Sequence, residues 1–434
     1  MSKNSVPFNH PWGEDLIGNL GSITVGGTPR TSVEKYWDGD VPWMASGDVK
    51  LKKVTDVPGR ITELGLRHSN ASIVDSPTVA IGLAGQGRTR GTVALVLCRL
   101  CTNQSVALIK SDPEVLDTRY LFYNLEFRYE ELRSRSSGGG RAGLTKQILE
   151  QIPIPLPALS EQKKIAEVLS TVDQAIEETE TSIAKQHRIK TGLMQDLLTR
   201  GIDEHGNLRS EKTHQFEDSP LGRVPVEWEV RPLDDLLVEK RYGISTSLSE
   251  EPEGVPVLRM NNLVYGEVDY SNLKYSRRRD ALSLTLNDGD VLFNRTNSID
   301  YVGRTGIYRH SGRSVSFASY LVRLVTDSDK LCAGYLNVWL NDVSNQIRVK
   351  QLATIGVQQA NVNPTNLGML LISLPRTVTE QKKIIDHIAS VSQSIHAADK
   401  SLQKLRSLKT ALMQDLLTGK KRVMPLLNDT EVTV

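Results

Sequence analysis

The sequence predicts an α+β protein: two globular α/β-mixed domains separated by two long helices, which pair as an antiparallel coiled coil and give the chain a pseudo-two-fold internal repeat. Three observations predict this. The stretch 160–199, SEQKKIAEVLSTVDQAIEETETSIAKQHRIKTGLMQDLLT, recurs without a gap at 379–418 as TEQKKIIDHIASVSQSIHAADKSLQKLRSLKTALMQDLLT, with close to half of the positions identical. Both copies lack proline and carry apolar residues at helical spacing. The segments ahead of them are short β-branched runs broken by glycine and proline. A duplication of this size means that the chain is read as two related halves.

Residues 1–158 form the first globular domain. GSITVGGTPRTSVEKYWDGDVPWMASGDV places Gly26, Gly27 and Pro29 in a turn, followed by the aromatic cluster Tyr36, Trp37 and Trp43. TVAIGLAG, GTVALVLC and SVALIK read as buried strands, TRYLFYNLEFRYEELRSR as a helical patch, and SSGGGRAG as a glycine-rich loop. The mixture fits a compact α+β domain better than a repeating βαβ sheet.

Residues 159–200 form the first long helix. Ser160 is the expected N-cap, and Pro153, Pro155 and Pro157 keep the preceding chain extended. Its apolar stripe is Ile165, Leu169, Val172, Ile176 and Ile183. Residues 201–228 are polar and irregular and read as a linker. The second globular domain, 229–377, repeats the outline of the first with little identity. GDVLFNRTNSIDYVGRTGIYR matches PTVAIGLAGQGRTRGTVALV in placement, and both contain Gly-Arg-Thr, Gly87 to Thr89 and Gly303 to Thr305.

The second long helix, 378–420, has Thr379 as the expected cap and the stripe Ile384, Ile388, Val391, Ile395, Leu402 and Leu405; a tail, 421–434, follows. At about 1.5 Å per residue such a helix runs about 60 Å, and a stripe so narrow is a coiled-coil seam. A single helix cannot bury that seam alone, so its own copy is the expected partner. The other reading is two unrelated surface helices on separate domains.

Composition bounds the function. The chain has 434 residues, enough for two or three domains, and a formal net charge of only +2. DNA or RNA binding would therefore need local clusters of arginine rather than a global basic field. No run approaches the ~18 apolar residues of a membrane span, and the N-terminus shows no apolar signal region. Three cysteines, Cys98, Cys101 and Cys332, fit a reducing, cytoplasmic setting. Cys98 and Cys101 form a CxxC inside a strand-like run, with no second pair at zinc-finger spacing.

Catalytic motifs are missing. GGGRAGLTK has the wrong spacing for a phosphate-binding loop, and GLAGQGRTRG lacks the strand and acidic residue of a dinucleotide site. There is no HExxH, no GxSxG and no aminomethyltransferase signature of Asp or Asn followed by two prolines and a tyrosine. His187, His205, His214 and His387 read as exposed helix or linker residues, and no metal set is expected.

The arrangement resembles the specificity subunit of type I restriction-modification systems. The residues that carry the resemblance are GGTPRTSVEKYWDGDVPW (26–43), TNQSVALI (102–109), IPIPLPALSEQKKIAEVL (152–169), PVEW (225–228) and GVQQANVN (356–363), and it spans nearly the whole chain. The second domain departs from the pattern: it lacks GGTP and opens on RYGISTSL (241–248). The resemblance implies a non-catalytic subunit whose two target recognition domains each read one half of a split sequence in double-stranded DNA. The helices would set the gap and dock two methyltransferase subunits, and through them restriction subunits. No cofactor is expected on this chain; S-adenosylmethionine, ATP and Mg would sit on the partners, and no membrane is involved. The candidate DNA-contacting residues are Thr28, Arg30, Thr31, Gln86, Arg88 and Arg90 in the first domain and Arg277, Arg279, Asn294, Arg295, Asn297 and Arg304 in the second. For both Gly-Arg-Thr stretches a turn that holds a strand pair is the competing reading. At the level of function, the alternatives are a scaffold that joins two proteins without DNA, and a self-sufficient nuclease or methylase.

Overall fold

A computed structural model describes residues 11–423 apart from 86, 136–142, 265, 311 and 358. The chain divides into two compact units, Met1–Glu180 with Lys400–Val434, and Thr181–Asp399. The long helices, Leu159–Thr199 and Val378–Leu417, are each continuous, and each gives one half to either unit. They are thus built into the units rather than standing apart as separate segments.

The first unit is organised on a five-stranded sheet in the order Gly21–Val25, Val106–Ser111, Thr78–Gly82, Val93–Val96, Lys53–Val54. Thr78–Gly82 is buried along its whole length, as its unbroken apolar run requires. The helix Thr118–Phe127 packs on this sheet and is capped by Asp117, whose carboxylate accepts the N–H groups of Arg119 and Tyr120. A short antiparallel pair, Gly13–Leu16 with Pro153–Leu156, leads into the first long helix. Ile165, Ala166 and Leu169 at the start of that helix share one core with Met413, Leu416 and Leu417 at the end of the second.

The second unit repeats this plan. Its sheet runs Leu237–Tyr242, Leu321–Thr326, Val291–Asn294, Thr305–Ile307, Gly266–Val268, Leu263–Val264, and the helix Ala333–Asn341 takes the role of Thr118–Phe127. The pair Trp228–Pro232 with Leu371–Pro375 leads into the second long helix. Here Leu197 and Leu198, at the end of the first helix, share a core with Ile384 and Ile388, at the start of the second. In both units, then, one helix's start packs with the other helix's end, so the two segments run antiparallel. Each fully buried leucine or isoleucine in these clusters contributes about 1.5–3 kcal/mol.

The shared EQ pair explains why the helix starts are alike. In the first unit fully buried Glu161 accepts from Nε and a terminal nitrogen of Arg422, both at 2.7 Å. In the second Glu380 accepts from Arg209 at 2.5 and 3.0 Å and from the Trp228 indole at 3.1 Å. Both arginines follow the end of the opposite helix. The neighbouring glutamines repeat each other bond for bond. Gln162 accepts from the N–H of Asp117 and donates to the carbonyls of Val115 and Pro157, while Gln381 accepts from Cys332 N–H and donates to Lys330 and Pro375. Each glutamine ties the helix start to the strand before it and to the helix of its own domain. Tyr120 and Tyr335 add a further matching bond, donating to the carbonyls of Pro155 and Ser373.

Some elements differ from the sequence expectation. The helices start at Leu159 and Val378, so Ser160 and Thr379 lie inside the first turn. Thr377 is the cap of the second helix, its hydroxyl accepting the Glu380 N–H at 3.4 Å. The stretch 201–228 is not a free linker: it holds the hairpin Phe216–Ser219 with Gly222–Pro225, and Arg209 and Trp228 are buried in the second unit. Polar composition hid this, because its few anchoring residues are far apart in sequence. Within the seam, Ile165, Leu169, Ile384, Ile388, Ile395 and Leu402 are buried, while Val172, Ile176, Ile183, Val391 and Leu405 are half-buried.

Candidate nucleic-acid interface

In the first unit the Gly26–Thr31 loop leaves the edge of the sheet under tight backbone control. Gly26 N–H donates to Val106 O and Gly27 N–H to Thr102 O, and a Cβ on Gly26 would lie 2.0 Å from that second carbonyl, so only glycine fits. The aromatic cluster read from the sequence holds the loop from below. Trp43 donates its indole N–H to Gly27 O at 2.9 Å, Trp37 donates to Arg30 O at 3.3 Å, and the two rings meet edge-on at 5.3 Å. Thr28, Arg30 and Thr31 are left exposed, with the Thr28 hydroxyl donating to Gln104 Oε1 at 2.5 Å. Arg30 has no carboxylate partner among the described residues.

The loop 83–90 joins Thr78–Gly82 to Val93–Val96. Gly82 and Gly91 close it, through Gly82 N–H to Thr92 O and Gly91 N–H to Gly82 O, and Gly91 takes a left-handed φ of +80°. Arg88 is exposed, and its carbonyl accepts from the Tyr129 hydroxyl at 3.0 Å. Arg133 donates to Gly87 O at 2.7 Å, so the loop is held from the helical side. Arg90 is half-buried. Gln86 lies outside the described residues.

The second unit has a loop of the same length at 295–302, closed by Asn294 N–H to Arg304 O and Gly303 N–H to Asn294 O. These bonds make Gly303, at φ +87°, the counterpart of Gly91 rather than of Gly87. The two Gly-Arg-Thr stretches are therefore out of structural register, although the segments that contain them do correspond. Asn294, expected at the DNA, is instead fully buried: its side-chain amide donates to Tyr301 O at 3.1 Å and holds the turn. Thr305 is likewise internal, bonded to Asn337 and Asn341. RYGISTSL also finds its place. Gly243 N–H to Leu321 O and Ile244 N–H to Phe317 O repeat the bonds of Gly26 and Gly27, so this loop stands where GGTP stands in the first unit.

Arg295 is the best-organised cation of this surface. Its guanidinium lies 4.9 Å from the centre of the Tyr242 ring and donates to Asn361 Oδ1 at 3.1 Å, while Asn361 donates to the Thr296 hydroxyl at 3.1 Å. Its Nε is buried with no acceptor, and no carboxylate pairs with it among the described residues. Arg304 lies 4.1 Å from the ring centre of exposed Tyr301; exposed Tyr242 ends the strand Leu237–Tyr242, and exposed Tyr320, just ahead of the strand Leu321–Thr326, accepts the Arg295 backbone N–H at its carbonyl. Asn297 is half-buried, with its side-chain oxygen accepting the Ser298 N–H. Arg277 and Arg279 stand apart at the edge strand Lys274–Ser276. Arg277 is paired with Glu253, which cancels its charge, and Arg279 is exposed at the start of a short helix. Gln104, Tyr242, Tyr301, Tyr320 and Asn361 were not singled out from sequence; only chain folding brings them to the glycine-closed loops.

Among the described residues no group of histidine, cysteine or carboxylate side chains could hold a metal ion. Cys101 is buried, and burial pushes its thiol up to about 11, which makes it inert near neutrality. No helix among the described residues is long and apolar enough to cross a membrane.

Comparison with known proteins agrees with the duplicated plan. The family model described as the type I restriction modification DNA specificity domain matches twice, at residues 9–186 and 225–406. The chain is 26% identical to the type I restriction enzyme MjaVIII specificity subunit of Methanocaldococcus jannaschii, over 96% of this chain and 94% of that one. It is 24% identical to the EcoKI specificity subunit of Escherichia coli, over 66% of this chain and 61% of that one. Its fold is like that of the crystal structure of the S subunit from M. genitalium, with a TM-score of 0.59 and 15% identity, covering 96% of this chain and 98% of the other. A chain from a structural study of type I R-M complex assembly gives 0.58 at 18% identity, covering 96% and 100%. With two matches that together span most of its length, this chain belongs to the type I restriction-modification DNA specificity family.

Proposed function

We propose that this chain is the non-catalytic specificity subunit of a type I restriction-modification complex and that it reads a bipartite target in double-stranded DNA, one half with each unit. The observation that carries the proposal is the contrast between scaffold and loops. The sheets, the glycine closures and the EQ pins repeat from one unit to the other, whereas the exposed side chains on the equivalent loops differ: Thr28, Arg30 and Arg88 against Arg295, Asn297 and Tyr301. One scaffold with two sets of exposed polar and aromatic groups suits two different half-sites. Arginine and asparagine can make bidentate contacts in the major groove worth about 1–3 kcal/mol each, while other cations hold phosphates without choosing sequence.

In this reading the long helices act as an antiparallel coiled-coil spacer with pseudo-two-fold symmetry, and they dock two methyltransferase subunits, which in turn recruit restriction subunits. S-adenosylmethionine, ATP and Mg would be bound by those partners. The absence of catalytic motifs from the sequence and the internal pinning of the helix starts support the assignment. The direct test is to map methylated sites in cells that carry the complex with four residues inserted in the first long helix. Four residues add about 6 Å, close to two base-pair steps of about 3.4 Å. The expected outcome is a longer unspecified gap with both half-sites unchanged. A changed half-site with the old gap would refute the spacer.

A further inference from the structure

In the second unit the strands Ala353–Ile355 and Ala360–Val362 form a hairpin that meets the Arg295 loop at its root. Ala360–Val362 is the middle strand of a three-stranded sheet whose other edge is Thr296–Asn297, and Val362 N–H donates to Arg295 O at 2.9 Å. Cross-strand partners share a face of a ribbon, so Thr354 lies beside Asn361, the residue that holds the Arg295 guanidinium. Ala360 and Val362 are buried in the core of the unit, which anchors the root.

The tip leaves that core behind. Ile355, the partner of Ala360, is 75% exposed, and Val357 is fully exposed in a turn closed by Gly356 N–H to Gln359 O at 2.8 Å. The stretch 353–363, ATIGVQQANVN, carries no charged residue. Phosphate contacts need cations, and this segment has none although Arg295 stands at its root, so a duplex that meets the tip meets it with base edges. Width decides between the grooves: a two-stranded ribbon fits the major groove of about 12 Å and not the minor groove of about 6 Å. Of the groups that base edges present there, the 5-methyl of thymine is the apolar one, and a valine or isoleucine side chain gains by covering it.

We propose that this hairpin enters the major groove of the half-site read by the second unit and that Val357, flanked by Ile355, reads thymine there through its 5-methyl group. The proposal rests on the functional reading above and adds the chemical group that is recognised. Arg295 and the tip then divide the work: the root of the ribbon offers hydrogen bonds, and its end offers methyl groups.

The test is equilibrium binding, by fluorescence anisotropy, of the assembled methyltransferase complex to a duplex of about 30 base pairs that carries its mapped target, and to copies in which each thymine of the two half-sites is replaced in turn by deoxyuridine. Deoxyuridine lacks only the methyl group, so the hydrogen bonds at the base edge stay the same. Uridine at one or two positions of a single half-site is expected to weaken binding about fourfold, the worth of one buried methyl. Val357→Ser is expected to cost a similar factor on the thymine duplex and nothing on the uridine duplex, so that the two losses do not add. Ile355→Ser is measured beside it. Both side chains are exposed, so both variants keep the fold, which an unchanged thermal melt checks. A uridine penalty absent at every thymine, or one that persists in both variants, would overturn the proposal. So would a loss in Val357→Ser that is equal on both duplexes, which marks a contact blind to the methyl, or a loss of methyltransferase binding instead of DNA binding, which makes the tip a protein contact. An unsubstituted complex that binds its mapped target no better than a scrambled duplex would remove the functional reading itself, a result distinct from all of these.

Discussion

Glu126 shows how one side chain fixes the character of a unit. Burial alone would raise its carboxyl, but Lys409 and Lys52 outweigh that and hold it below the usual carboxylate value. A carboxylate with a lowered folded pKa contributes stability that is complete above its unfolded value of about 4.5 and is lost as pH falls through the folded value. Glu126→Gln is therefore expected to destabilise the chain at pH 7 by about 2 kcal/mol. That is less than the ~3–5 kcal/mol for breaking a lone buried pair, because Asp173 still faces Lys409. The gap between variant and parent should close as pH falls below about 4, where the parent's Glu126 also becomes neutral. Thermal melts of both proteins from pH 7 to pH 3 check this; parallel curves would show that the Lys409 cluster does not depend on the Glu126 charge.

At the scale of elements, the helix start is the joint that the fold depends on, and its chemistry lies in the two residues that open each copy. Gln162 uses both ends of its amide on three backbone groups, the N–H of Asp117 and the carbonyls of Val115 and Pro157. Gln162→Met keeps the volume and strands those buried groups, so a loss of about 2–4 kcal/mol is expected in chemical denaturation, with Gln381→Met costing a similar amount. Lys163→Met, the next residue along the same helix but exposed and outside these bonds, should change stability by less than about 0.5 kcal/mol. The sequence made the duplicated helices plain, because proline-free runs with four-and-three apolar spacing have few other solutions. It could show that the EQ pair recurs, but not why. The partners Arg422 and Arg209 lie in segments with no resemblance to each other, and side-chain to backbone pins leave no periodic trace. The strands were legible as buried runs. The register of the hairpin loops was not, because Gly-Arg-Thr recurs by coincidence while the structural match is between Gly91 and Gly303, whose neighbours differ. Asn294 was misplaced for the same reason: its type suits base recognition, yet its position beside the closing glycine turns its amide inward.

For the whole molecule, the duplicated plan makes a claim about independence. Each unit closes its own core, pins its own helix start and presents its own exposed loops; on the proposed reading, a change confined to one loop is expected to act on one half-site alone. Arg295 is the sharpest place to test this. Its guanidinium is oriented on Tyr242 and Asn361 and meets no carboxylate among the described residues, which leaves donors for a guanine edge or a phosphate. Arg295→Ala is expected to cost about 1–3 kcal/mol of specific DNA affinity, roughly five- to 150-fold, and to relax the sequence at positions within one half-site only. Because the side chain is only half-buried and the backbone bonds that close its loop do not involve it, the fold should survive the change. Methylation mapping of the complex that carries the variant distinguishes the roles. Relaxation at one or two positions of one half-site marks Arg295 as a base reader. A uniform loss across all sites with a shallower salt dependence marks it as a phosphate contact. Degeneracy in both half-sites at once would contradict the independence of the two units and, with it, the reading of the chain as two separate recognition heads.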